Sequence, residues 1–109
     1  MSAILAQASS GTTEIEILAI APTQVPRAGL AIIEKIIVCN RGGNPATFRI
    51  SMTLDGGVTQ DKDYLYYDSP LKGNETVQVI IGATFSDRAS LRGSASKGLI
   101  SFTVIGQFV

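Results

Sequence analysis

The side chains able to do chemistry are few. Asp61, Asp63 and Asp68 lie close together, with Asp55 nearby, and oxygen ligands of this kind suit Ca²⁺. Lys62 stands between two of them, however, and the EF-hand spacing with its central Gly and terminal Glu is absent. They read as solvated loop-end carboxylates. A glycosidase needs two acids about 5–10 Å apart in a cleft, and no pair here is singled out. There is no His, which removes imidazole bases, His-liganded zinc and the Ser-His-Asp triad. Cys39 has no His to activate it and reads as a small buried hydrophobe. Gly42-Gly43 has no Walker Lys-Ser/Thr after it, so it is a loop and not a phosphate cradle. No enzyme, cofactor or metal is expected.

Surfaces for contact are better represented. Tyr64, Tyr66 and Tyr67 with Leu65 form the densest aromatic group. On a strand, Tyr64 and Tyr66 would share one face, and Leu65 and Tyr67 the other. Tyrosine offers area with a polar tip, which suits interfaces and sugar stacking. The plainer alternative is a strand whose hydroxyls reach water. The absence of Trp weakens a sugar platform. Arg41 and Arg49 flank the glycine loop, positioned to pair with acids of this subunit or of a neighbour. The candidate interface is Ile33, Ile37, Arg41, Arg49, Tyr64, Tyr66 and Tyr67.

Charge narrows the partners. Nine Lys and Arg balance nine Asp and Glu, and the basic residues are scattered singly, which argues against nucleic acid. No stretch approaches the ~18–20 apolar residues of a membrane span. The start, Met1 to Ala8, has no basic segment and too short an apolar one for a signal peptide, so synthesis in a cytoplasm without export is expected. A lone Cys cannot form an internal disulfide, and the core must hold the domain unaided. Charged residues are 17% of the chain and apolar ones 45%, against roughly a quarter charged in an average domain. Part of the surface is therefore expected to be covered by a partner.

The elements that must position these residues are strands. Phe48, Ile50, Met52 and Leu54 alternate with polar residues, as do Ile100, Phe102 and Val104, then Val77, Val79 and Ile81, and Ile15 and Ile17. Period two means one face in the core. Leu30 to Cys39 is apolar on both parities apart from Glu34 and Lys35, with four Ile and a Val. A strand of that composition is covered on both faces, and the second cover could come from another subunit. A helix over 28–38 is the competing reading. Turn signals at 9–11, 22–26, 40–45, 55–57, 69–70, 72–74 and 94–98 divide the chain. They predict seven or eight strands, near 3–7, 13–20, 30–39, 46–54, 62–67, 75–83, 88–94 and 98–108. This spacing predicts an all-β fold: one antiparallel β-sandwich over 1–109, jelly-roll-like or Ig-like. Residues 1–12 form either an extended arm or an edge strand. Asn40 to Pro45 is expected to join an antiparallel pair, and Asn74-Glu75-Thr76, although it matches a glycosylation acceptor, reads as a turn.

Val38-Cys39-Asn40-Arg41-Gly42-Gly43, Thr47-Phe48-Arg49-Ile50, Asp63-Tyr64-Leu65-Tyr66-Tyr67-Asp68 and Gly73-Asn74-Glu75-Thr76 together resemble a family of small proteins encoded among the structural genes of tailed bacteriophages. Leu5-Ala6-Gln7 matches a stretch near the start of many members. The resemblance covers about residues 30–82. Pro22 to Ala28 departs from it, being more Pro-broken than the family's usual short turn. It implies a virion component without catalytic residues: a capsid decoration (cement) protein, or a neck, tail or baseplate part. It implies the major capsid protein and other copies of this chain as partners, with a trimer favoured at a capsid three-fold. A host-surface carbohydrate-binding module using the tyrosine strand is the alternative from another class.

Overall fold

A computed structural model describes residues 3–10, 12–19, 30–86 and 88–108. The alternating runs become eight strands: β1 (Ala3–Ser10), β2 (Ile15–Ala19), β3 (Leu30–Asn40), β4 (Ala46–Thr53), β5 (Tyr64–Leu71), β6 (Thr76–Ser86), β7 (Ser90–Ala95) and β8 (Ile100–Phe108). A single 3₁₀ turn, Asp61–Asp63, precedes β5. Ile32, Ile33, Ile36 and Ile37 lie in an 11-residue strand, so the helical alternative over 28–38 does not hold for residues 30–38. β-Branched side chains prefer the pleated surface. The Pro22 to Pro26 turn, and the departure over Pro22 to Ala28, lie outside the described residues.

The strands pair as β1 with β8, β2 with β7, β3 with β6 and β4 with β5, all antiparallel. The chain is thus one long ribbon folded back on itself, with the β4–β5 link at its tip. Wrapping the ribbon adds the β3–β8 and β4–β7 pairings. Two four-stranded sheets result, with orders β1-β8-β3-β6 and β2-β7-β4-β5. This is a jelly roll, and of the two sandwich types expected it excludes the Ig-like order.

The topology corrects one expected pairing. Asn40 to Pro45 does not join an antiparallel pair, because β3 and β4 belong to different sheets. In this wrap every described link except β4–β5 crosses between layers. Ser69-Pro70 is likewise no turn but part of β5, with Pro70 opposite Thr47. β5 is an edge strand, where a residue lacking an N–H is tolerated. Residues 3–10 pair along β8 as an edge strand.

The inner faces meet in one core. Ala31, Ile33, Ile36, Val38, Val79, Ile100, Phe102 and Val104 come from the first sheet. Ile17, Leu18, Phe48, Ile50, Met52, Leu71 and Leu91 come from the second. Phe102 spans the layers where β7 carries Gly93. A Cβ there would lie 3.0 Å from the Phe102 ring and 2.9 Å from Ile17, so the missing side chain makes room for the ring.

Candidate interaction surfaces

One end of the sandwich is tied by Asn40, a buried polar residue. Its side-chain amide donates to the carbonyls of Asn44 (2.8 Å) and Lys72 (3.1 Å), and its side-chain oxygen accepts from the Gly42 N–H (2.9 Å). Backbone bonds join the same loops: Asn40 N–H to Glu75, Asn74 N–H to Gly42 and Arg41 N–H to Leu99. Three crossovers, β3–β4, β5–β6 and β7–β8, are thereby fastened together. Gly73 lies against the Gly43 backbone so closely that a Cβ would collide with the Gly43 carbonyl. The Glu75 carboxylate accepts from the Lys72 N–H (2.9 Å), and Asn74 takes a positive φ of 58°, which Asn tolerates better than most residues. The Asn40-Arg41-Gly42-Gly43 and Gly73-Asn74-Glu75 stretches therefore serve loop architecture. Arg41 reaches back to the first strand and donates to Ser9 Oγ (2.6 Å).

The tyrosines do not alternate as expected. The β4–β5 register shifts twice, between Phe48 and Ile50 and between Ile50 and Ser51. Each extra residue on β5 inverts the parity beyond it. Tyr66 opposite Ile50 turns into the sandwich, packs 6.3 Å from Phe48 and donates its hydroxyl to the Ile80 carbonyl of β6 (2.8 Å). It bridges the two sheets at their open edge. Tyr64 and Tyr67 meet each other outside, T-shaped at 4.9 Å. The Arg49 guanidinium lies over Tyr67 at 4.1 Å and donates to both Asp68 oxygens (2.7 and 3.2 Å). This is the ion pair found among the described residues. The hydrogen bonds and charge of Arg49 hold the Asp68 carboxyl below the usual carboxylate range. Asp68 takes a positive φ of 49°, as the bulge requires. A shallow cleft of about 250 Å³ runs beside the pair, between Thr12, Thr47, Ser94 and Ser96.

The rest of the second sheet's outer face is covered by its own chain. Arg92, on β7, donates to the carbonyls of Gly56 and Gly57 and to Thr59 Oγ1, with contacts of 2.5–2.9 Å. This pins the loop over 54–60 across the sheet. Glu14 accepts from Thr59 (2.8 Å) and Glu16 from Ser90. Beneath, Ser51, Thr53 and Ser90 are buried. Arg92 and the two Glu residues had no distinguishing sequence signal, since their partners are distant in the chain.

The first sheet's outer face is different. The β3 register shifts between Ile33 and Lys35. Ile33, a candidate interface residue, is fully buried in the core, so its side chain is not presented to a partner. Ile37 faces outward and is half-buried, with Ile32 and Lys35. Ile4 opposite Ile105 and Ile80 opposite Lys35 continue the same face, and Ile4 and Ile80 are 61% and 66% exposed. Cys39, expected to be buried, is half-buried on this face between Ser101 and Thr76. The outward position of Ile37 has a sequence signal, because its own strand is apolar on both parities. Ile4, Ile80 and Ile105 come to the same face only through strand pairing.

No protein-family model and no curated protein matches the chain. Solved structures do. A chain of the T13 viral particle of infectious bursal disease virus superposes with a TM-score of 0.54 at 12% identity, over 99% of this chain and 30% of that one. A chain of the Gx strain of the same virus gives 0.53 at 14% identity, over 96% and 32%. At such identities the likeness is one of fold. This chain spans about a third of the length of the viral chains it matches. Fold and surfaces define the class: an antiparallel jelly-roll sandwich with one outer face covered by its own loop and isoleucines standing out on the other.

Proposed function

We propose that this chain is a non-enzymatic structural component of a virus particle, a decoration protein that bridges and stabilises the capsomers of a tailed bacteriophage. The observation that carries this reading is the jelly-roll wrap, matched over 99% of the chain by part of a chain from an icosahedral virus particle. An outer sheet face that exposes Ile4 and Ile80, and that no described segment covers, also supports it. The tailed-phage part of the proposal comes from the sequence resemblance of the Val38 to Gly43, Tyr64 to Asp68 and Gly73 to Thr76 stretches. The mechanism is passive. The chain buries surface at seams between capsid subunits, and symmetric repetition multiplies modest contacts. Its partners are the major capsid protein and other copies of itself, its location is the virion, and its synthesis is in the host cytoplasm.

The carbohydrate-module alternative keeps a smaller platform, with Tyr67 58% exposed. Tyr66 faces inward, and Tyr67 is engaged by Arg49 and Tyr64. The test is reconstitution. Capsids prepared without this chain should lose heat and salt tolerance and regain both on its addition. Tolerance unchanged by its presence would refute decoration. A deficit confined to tail attachment would move it to the neck.

A further inference from the structure

The two outer faces carry different amounts of charge. The second sheet's holds Glu14, Glu16, Arg49, Asp68 and Arg92, nearly all of them hydrogen-bonded in the chain. On the first sheet, the outward positions are Ile4, Gln7 and Ser9 on β1, and Ser101, Thr103, Ile105 and Gln107 on β8. β3 gives Ile32, Glu34, Lys35, Ile37 and Cys39, and β6 gives Thr76, Gln78, Ile80, Gly82 and Thr84. Among these described residues Glu34 and Lys35 are the only charged side chains. They are adjacent and central in the sheet, and Lys35 Nζ also donates to Gln78 (3.2 Å). Away from that central pair the outward positions are uncharged, with exposed isoleucines among them, and depletion of charge is a compositional mark of an interface.

We infer that this face is covered by the same face of a second copy, packed sheet on sheet about a two-fold axis that passes between Glu34 and Lys35. Two observations select that occupant. The first is charge. The centre of the face is neutral, with one acid beside one base, and Arg41 reaches only its end, at Ser9, so a two-fold between the pair brings Glu34 of one copy toward Lys35 of its partner, and the reverse. An isologous contact needs that self-complementarity. The second is area. Four strands about 4.8 Å apart and about nine residues long give a flat footprint of roughly 570 Å². A facing pair then removes about 1,100 Å² from water, just above the ~1,000 Å² expected of a specific interface. The inference does not rest on the capsid reading, and it departs from the trimer that the phage resemblance implies.

The experiment is sedimentation equilibrium on the purified chain and its variants, each checked for native circular dichroism. The wild type should weigh about 23 kDa, twice the 11.5 kDa chain. Lys35→Glu and Glu34→Lys should each be monomeric alone, from repulsion of like charges across the axis, and should form a dimer when mixed. Ile80→Lys, at a 66% exposed position, should fold normally and weaken association about thirty-fold or more. A wild-type monomer, a trimer, or a dimer indifferent to all three substitutions would overturn the inference. Because no capsid enters the assay, its failure is separable from failure of the decoration role.

Discussion

The two outer faces of the sandwich solve one problem in opposite ways. A two-layer fold buries one face of each sheet and must leave the other in water or give it a cover. On the second sheet the chain supplies the cover itself: the loop over 54–60, clamped by Arg92 to the Gly56 and Gly57 carbonyls. That face carries charges, and they are satisfied locally. On the first sheet no described segment returns, and isoleucines stand outside at Ile4, Ile80 and Ile105. The contrast separates residues that stabilise the monomer from those available for assembly.

The largest expected effect breaks both faces at once. Phe102→Ala removes the ring that spans the layers beside Gly93 and should cost about 3–5 kcal/mol in urea unfolding. A loss below about 1 kcal/mol would mean that the sheets do not share this core. Next comes Asn40→Ala, which orphans the Asn44 and Lys72 carbonyls and the Gly42 N–H. Leaving these partly buried groups unpaired should cost about 1–3 kcal/mol. Amide exchange should accelerate in the loops over 40–45 and 72–75, and unchanged exchange there would refute the fastening.

The sharpest test pairs one substitution from each face. Arg92→Ala should cost about 1–2 kcal/mol and release the loop over 54–60 to proteolysis. Ile80→Thr, outside on the other sheet, should change the stability of the monomer by no more than about 0.5 kcal/mol. Equal costs would abolish the distinction drawn between the faces.

The smallest effect is at Arg49 and Asp68. Arg49 holds the folded-state carboxyl of Asp68 below the usual range. A depressed folded value means that the pair's contribution is present above the unfolded carboxyl's titration and is lost as pH falls through the folded one. Both side chains are exposed, so the contribution is modest and screened by salt. An NMR titration of the Asp68 carboxyl should move toward the ordinary carboxylate range in Arg49→Ala. No movement would mean that the pair does not form in solution.

Strand positions were legible because period-two alternation at Phe48 to Leu54 or Ile100 to Val104 is a local signal that burial enforces. The sandwich followed from their number and spacing. The pairing was not legible: nothing local in Asn40 to Pro45 distinguishes a hairpin from a crossover, and that depends on Asn40 finding carbonyls 32 residues away. The parity of the tyrosines failed for a related reason. Two bulges in β5 inverted an alternation that a regular strand would have kept. A further bulge, in β3 against β8, turns Ile33 into the core while Lys35 and Ile37 face out. Isoleucines stand on both faces of β3, but which of them faces out depended on a register the sequence does not mark.

The most direct test of the structural role is the number of copies of this chain per particle, from quantitative mass spectrometry of purified virions. The decoration reading predicts copies that scale with the major capsid protein, in the hundreds for a typical shell. Absence of the chain from purified particles would contradict it outright.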